Sequence, residues 1–168
     1  MKTSRNNGAI GALLDEYERV VFDLLEIVND ISNKELITIV DDRTKDPDCK
    51  SIQTILSHVI RAGYGYAIEV RRSFGEQIKF RKEVLLDSVV DYEKALTNMF
   101  NYNEELFENN SNIVLEELDN EKKIIVRWGQ SYDVEQLFEH AIVHILRHRR
   151  QIEGFLVKLR YAERDLCG

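Results

Sequence analysis

Three of the four histidines in this 168-residue chain recur at intervals of four in one stretch. The segment EHAIVHILRHRRQIEGFL, residues 139–156, contains His140, His144 and His148, and the fourth histidine is His58. A helix turns by about 100° per residue, so this spacing places all three side chains on one side. Imidazole is the commonest protein ligand of transition metals. The spacing therefore raises the question of a metal site.

The apolar residues around these histidines indicate which of them face inward. On a helical wheel His148 lies within the apolar stripe, His144 at its edge and His140 about 100° from its centre. His58 lies in a second periodic segment, SIQTILSHVIRA, and is also predicted to face inward. The stripe consists of Val134, Leu137, Phe138, Ala141, Ile145, Ile152, Phe155, Leu156 and Leu159.

Three converging imidazoles have more than one explanation. A single inward histidine is ordinarily a hydrogen-bonded core residue. Three buried imidazoles side by side have several ring nitrogens that need hydrogen-bond partners, and protonation of the rings would bring like charges together. A divalent metal solves both problems, with two ligands from one helix and one from a facing helix. These patterns alone leave open a metal site, a hydrogen-bonded core cluster and a haem held between two histidines.

Several other metal patterns are excluded. His140 and His144 are followed by Ala141 and Ile145, so there is no H-E-x-x-H and no zincin-type glutamate base. No glutamate stands three residues before any histidine, which excludes the Glu-x-x-His signature of di-iron bundles. There is no C-x-x-C-H for covalent haem. Cys49 and Cys167 lack metal-ligand spacing, and we expect reduced thiols.

Four amphipathic helices are predicted to position the histidines. Apolar residues recur at three and four over about 10–31, 51–72, 88–108 and 133–160, with Ser51 as an N-cap and an Asp133–Gln136 capping box. The run KKIIVRW is long enough only for a strap or a single hairpin. The segments 33–50, 73–87 and 109–132 are long enough to return along a helix. We predict an all-α four-helix bundle with at least one crossover connection.

Composition and charge restrict the class of protein. With 43% hydrophobic residues, 32% charged residues and only one proline, the chain suits one helical domain over 1–168. The net charge of -7 disfavours nucleic acid as a partner. The N-terminus has no long apolar stretch, so we expect neither a signal peptide nor a membrane span, and a cytoplasmic protein.

The two histidine segments resemble the DinB/YfiT-like superfamily. In that superfamily a histidine in the second helix is followed much later by H-x-x-x-H-R-x-Q and an apolar residue. The resemblance covers nearly the whole chain and the order of four helices, but its specificity rests on few positions. The matching residues of the late motif are His144, His148, Arg149, Gln151 and Ile152.

The resemblance implies a fold, an assembly and a ligand set. It implies an up-down-down-up bundle, a homodimer, and a divalent metal, most often zinc or nickel, held by His58, His144 and His148. His140 is then a neighbour outside the ligand set, in agreement with the helical wheel. Arg149 and Gln151 are expected to pack or to hydrogen-bond the ligands.

The resemblance also implies three functional alternatives. The first is a thiol-dependent S-transferase, in which a low-molecular-weight thiol becomes the nucleophile at the metal. The second is a metal-dependent hydrolase that activates water. The third is a non-catalytic, metal-stabilised stress-response bundle. No general base is identified by the sequence, although Tyr64, Tyr66 and Glu69 lie on the same predicted helix as His58.

Overall fold

The structure, a computed structural model, describes residues 5, 8–110 and 112–166, so Cys167 lies outside the described residues. Helices account for most of it, and one short antiparallel hairpin pairs Ile124 with Tyr132. The elements in chain order are α1 Gly8–Asn29, α2 Asn33–Ile37, a 3₁₀ helix Pro47–Cys49, α3 Ile52–Ser73, α4 Val89–Asn109, β1 Ile124–Ile125, β2 Ser131–Tyr132 and α5 Val134–Leu166.

The four long predicted helices are confirmed, with ends shifted by a few residues. The largest difference is at α5, which continues to Leu166. Two short elements were not predicted: α2, and the 3₁₀ helix before α3. An element of five residues is too short to show helical periodicity. The sequence signal of α2 is a capping box, in which the side chains of Ser32 and Glu35 each accept a hydrogen bond from the other's backbone N–H.

The capping signals predicted for the two histidine-bearing helices are confirmed. Ser51 caps α3 and accepts a hydrogen bond from the Thr54 N–H at 3.1 Å. Asp133 accepts from the Gln136 N–H at 2.8 Å, and Gln136 accepts from the Asp133 N–H at 3.2 Å. These caps fix where α3 and α5 begin, and therefore which of their residues face each other.

Helix α1 packs against α4 and α5, and α3 packs against the same two helices. Tyr17 of α1, which is fully buried, contacts Phe100 of α4 and Phe138 of α5 edge-on, with ring centroids 5.7 and 6.0 Å apart. Such edge-to-face pairs add to the burial of apolar area. Among the described residues, none of the helices combines the length and the apolar run needed to cross a membrane.

The contact between α3 and α4 requires a glycine. A Cβ atom added at Gly63 would lie 2.3 Å from Sδ of the fully buried Met99. We expect Gly63→Ala to destabilise the fold by about 1–3 kcal/mol because Met99 must leave its rotamer or push α4 away. Urea unfolding measures this. Gly154→Ala is the matched control: nothing lies within 4 Å of that position, so the helix should be unchanged or slightly more stable.

Candidate metal centre

His58 of α3 and His144 and His148 of α5 come together between the two helices. One ring nitrogen from each lies within 4.8 Å of the other two. The ring centroids are 4.9 Å apart for His58 and His144, 5.0 Å for His58 and His148, and 4.5 Å for His144 and His148. The predicted residues therefore share one site, and their binding of a metal stays a prediction.

The closest atoms of the cluster are Nε2 of His58 and Nε2 of His144, 2.9 Å apart. Two imidazole nitrogens at this distance either share one proton or direct their lone pairs at one ion. Nitrogens bound to a tetrahedral zinc at about 2.0–2.1 Å lie roughly 3.3 Å from each other. A small rotation of either ring therefore converts the observed contact into a ligand geometry.

Asp48 fixes the orientation of His58. Its Oδ2 atom lies 2.8 Å from Nδ1 of His58, which leaves Nε2 of that ring facing the cluster. Arg61 donates to the same carboxylate oxygen at 2.7 Å and pairs with Glu83 at 3.0 Å. A carboxylate behind a ligating imidazole sets its tautomer and makes it a better ligand. Asp48 belongs to the 3₁₀ helix that was not predicted, and no sequence pattern identified it as a partner of His58.

Gln151 plays the corresponding part for His148. Its Oε1 atom lies 3.1 Å from Nδ1 of His148 and accepts a weak bond from the Cys49 thiol at 3.7 Å. Nε2 is therefore the nitrogen that His148 has left for a ligand. The expected hydrogen bond between Gln151 and a histidine is present, with Gln151 as the acceptor. Arg149 instead pairs with Asp23 of α1 at 2.7 Å, away from the cluster.

Burial favours the neutral form of His144 and His148. It lowers the pKa of His144 to about 3, and the neighbouring His148 and His58 lower that pKa further. The pKa of His148 is also lowered, first by burial and then by His58. Neutral rings expose the lone pairs that a metal ion needs.

A cavity of about 320 Å³ opens onto the cluster. His148 is buried and is not part of the cavity wall, whereas His58 and His144 are half-buried and form part of that wall. This volume is at the lower end of the range for small-molecule sites. The other wall residues are Ala62, Gly65, Tyr66, Arg127, Trp128, Gln130 and His140.

His140 lines the cavity but stands apart from the cluster. Its Nδ1 atom lies 3.1 Å from the hydroxyl of Tyr132, and its ring is 6.5 Å from that of His144. In the part of the chain that the structure describes, no histidine, cysteine or carboxylate joins the three clustered nitrogens as a fourth ligand. A metal held there would keep a coordination position open toward the cavity.

The three candidate residues for acid–base chemistry on α3 have different surroundings. Tyr66 lines the cavity, with its ring 6.0 Å from His144. Tyr64 faces α4 and contacts the ring of Tyr102. Glu69 is buried and accepts a hydrogen bond from the backbone N–H of Arg127 at 3.1 Å. Of the three, Tyr66 alone is part of the cavity wall.

Comparisons with known proteins do not identify a family. No family model matches the chain, and no curated protein is similar enough to count as a relative.

Proposed function

We propose that the protein is a metal-dependent thiol S-transferase of the DinB/YfiT-like superfamily, with zinc or nickel bound by His58, His144 and His148. One observation carries the proposal: three imidazole nitrogens converge, two of the three histidines line a cavity, and no fourth protein ligand joins them among the described residues. The hydrogen bonds that Asp48 and Gln151 accept from His58 and His148 support it, because they leave Nε2 of both rings free for a ligand.

The up-down-down-up order of helices is part of this proposal. Contacts of α1 with α5 support a parallel pair: Asp23 of α1 faces Arg149, and Asp30, the residue after the end of α1, faces Arg160 further along α5. Helix α5 would then run in the same direction as α1, as the first and last helices of that arrangement do.

The two central helices support the same arrangement. Ser57 of α3 bonds Tyr92 of α4, and the Gly63 carbonyl accepts from Asn103, so contacts advance along both helices together. A parallel central pair of this kind needs the long connection between α3 and α4 as a crossover.

The ion and the cavity wall have different parts in the proposed reaction. A divalent ion with three neutral ligands supplies a Lewis acid that lowers the pKa of a bound thiol toward neutral pH. In the transfer the sulfur forms a bond to an electrophilic carbon, the S–H proton passes to solvent and the leaving group departs with its electron pair. Burial raises the pKa of Tyr66, so its hydroxyl stays protonated and is available to donate a hydrogen bond to that leaving group.

The test is thiol conjugation by protein purified without a metal-affinity tag. Metal content is measured first, and a panel of low-molecular-weight thiols is then offered with an electrophile such as a haloaromatic. We expect conjugation that requires metal, is lost in His144→Ala, and is accompanied by a thiol-dependent change in the spectrum of cobalt-substituted protein. Hydrolysis of esters or amides without any thiol effect would favour the hydrolase, and no response would favour the non-catalytic bundle.

Removal of the Asp48 carboxylate tests whether its hydrogen bond holds the His58 ring in the orientation that binds a metal. We expect Asp48→Ala to weaken metal binding by roughly 10- to 100-fold, because His58 loses the partner that holds its ring. Competition with a fluorescent chelator measures the affinity. The matched control is Asp42→Ala in the same segment, an exposed residue that should leave the affinity unchanged. Equal affinities for the two variants would contradict the role given to Asp48.

A homodimer is the remaining part of the proposal and rests on the superfamily resemblance. Sedimentation at micromolar concentration measures it directly. Two chains of 19.7 kDa in one particle are expected, and a single chain at all concentrations would contradict this assembly.

A further inference from the structure

Two arginine side chains stack on one aromatic ring beside the histidine cavity. The guanidinium carbon of Arg127, just after β1, lies 4.4 Å from the ring centroid of Phe80, and that of Arg72, in the last turn of α3, lies 5.2 Å from it. Each contact is favourable as a cation–π pair. Together they bring two like charges to one ring, which raises the electrostatic energy of both.

Neither guanidinium group forms an ion pair within the part of the chain that the structure describes. No carboxylate oxygen lies within 4.0 Å of the guanidinium nitrogens of Arg72 or Arg127, although Glu69 accepts a hydrogen bond from the Arg127 backbone N–H. Six other arginines do have such partners: Arg5, Arg19, Arg61, Arg71, Arg149 and Arg160. The chain carries 30 acidic residues and only 23 basic ones, so acidic partners are abundant. Arg72 and Arg127 are therefore two unpaired guanidinium groups that meet at one ring, in a chain whose net charge is negative.

A glycine makes room for one of these arginines. Gly65 lies within α3, where glycine costs roughly 0.5–1 kcal/mol relative to alanine. A Cβ atom at this position would lie 3.3 Å from Nη2 of Arg127, tighter than an ordinary contact. Gly65 and Arg127 both line the histidine cavity, so the absent side chain lets the guanidinium lie against its wall.

Arg127 also connects this cavity to a larger groove. Arg127, Arg72 and Phe80 line a groove of about 1060 Å³ that adjoins the hairpin. Three carboxylates line that groove, and each has a partner other than the two guanidinium groups. Glu69 accepts from the Arg127 backbone N–H, Glu117 accepts from the Asp119 backbone N–H at 2.9 Å, and Asp133 faces Lys123 at 3.7 Å. The two guanidinium groups are thus left to face a ligand that enters between cavity and groove.

We infer that the cavity takes a small molecule bearing an oxyanion, a carboxylate or a phosphate, which Arg127 and Arg72 bind. Guanidinium groups bind both anions through paired, charge-assisted hydrogen bonds. The anion would be held at the rim while the rest of the molecule reaches the histidines. The anion site follows from the arginines alone, whereas the placement of the reacting end rests on the proposed function.

Trp128 provides the measurement, since it lines the cavity and is the single tryptophan of the chain. Succinate, methyl phosphate and uncharged succinamide are titrated into the full-length protein at constant ionic strength, with calorimetry as a second readout. We expect saturable binding of at least one anion and none of succinamide. The anion that binds identifies the oxyanion. Absence of saturable binding for both anions up to 10 mM, roughly the weakest useful affinity, would overturn the inference.

Single-charge variants locate the site. Arg127→Gln should weaken anion binding by roughly tenfold or more, and Arg72→Gln should weaken it in the same direction. Arg43→Gln removes the same charge from an exposed position that lines neither the cavity nor the groove, and should bind the anion as the parent protein does. Equal affinity in all three variants would show that the anion binds elsewhere and would overturn the assignment.

The same titration in His144→Ala separates this inference from the proposed function. Anion binding should persist there, because the arginines do not depend on the histidines. Persistent binding without thiol transfer in the parent protein would remove the transferase proposal and leave the anion site. Thiol transfer without anion binding would remove the anion site and leave the transferase proposal.

Discussion

His148→Ala should abolish metal retention, and this is the largest effect expected of any single substitution in the cluster. His148 is 5% exposed and has Nδ1 engaged by Gln151, so nothing on its own turn replaces Nε2. The affinity loss should exceed the roughly 10- to 100-fold expected on removal of a residue that only supports a ligand. Elemental analysis of the purified protein and chelator competition measure it.

The same substitution should also remove the stabilisation that metal provides. An ion that binds only the folded state, at a free concentration one hundred times its dissociation constant, raises the free energy of unfolding by about 2.7 kcal/mol. For a chain of this size that corresponds to a rise in Tm of roughly 5–11 °C. Calorimetric scans with and without added zinc should show the rise in the parent protein and not in His148→Ala.

His140→Ala is the matched control, because His140 belongs to the same helix and the same cavity but bonds Tyr132. Its metal content and zinc-dependent Tm should equal those of the parent protein. Equal metal loss from the His140 and His148 variants would contradict the ligand assignment, since the effect would then come from general damage to α5.

The meeting of His58 with His144 and His148 could be predicted from the sequence because helical periodicity determines direction. Each histidine lies at a known angle to an apolar stripe, and two stripes that face each other bring those angles together. The agreement is closest for His148, which was placed within the stripe and is buried. The same rule placed His140 farthest from the stripe, and it stands outside the cluster.

The residues that support and surround the cluster could not be predicted in this way. Asp48 reaches His58 from a 3₁₀ helix inside an irregular segment, where no periodicity relates position to direction. Arg127 and Trp128 reach the cavity from a hairpin whose position depends on packing against α3 and α5. Tyr64 and Tyr66 are two residues apart on one helix and therefore face different neighbours, α4 and the cavity.

Acidification should destabilise the metal-free protein well above the pH at which carboxylates titrate. The pKa of His144 is lowered by burial to about 3, against about 6.5 in an unfolded chain. Between these values the unfolded state binds more protons than the folded state, so the stability is complete above pH 6.5 and falls as the pH falls toward 3. His148 acts in the same direction.

The window between pH 6.5 and 5 isolates this effect from the carboxylates, whose unfolded pKa values lie near 4. Each pH unit in it costs about 1.4 kcal/mol for one such histidine, so His144 alone accounts for about 2 kcal/mol and a fall in Tm of roughly 4–8 °C. Urea unfolding at pH 7 and pH 5 measures the loss in the parent protein and in His144→Gln. The variant keeps a polar side chain but has no proton to gain, so its stability should change much less. A parent protein as stable at pH 5 as at pH 7 would mean that the rings are more hydrated than their burial indicates, and that they accept protons without opening the contact between α3 and α5.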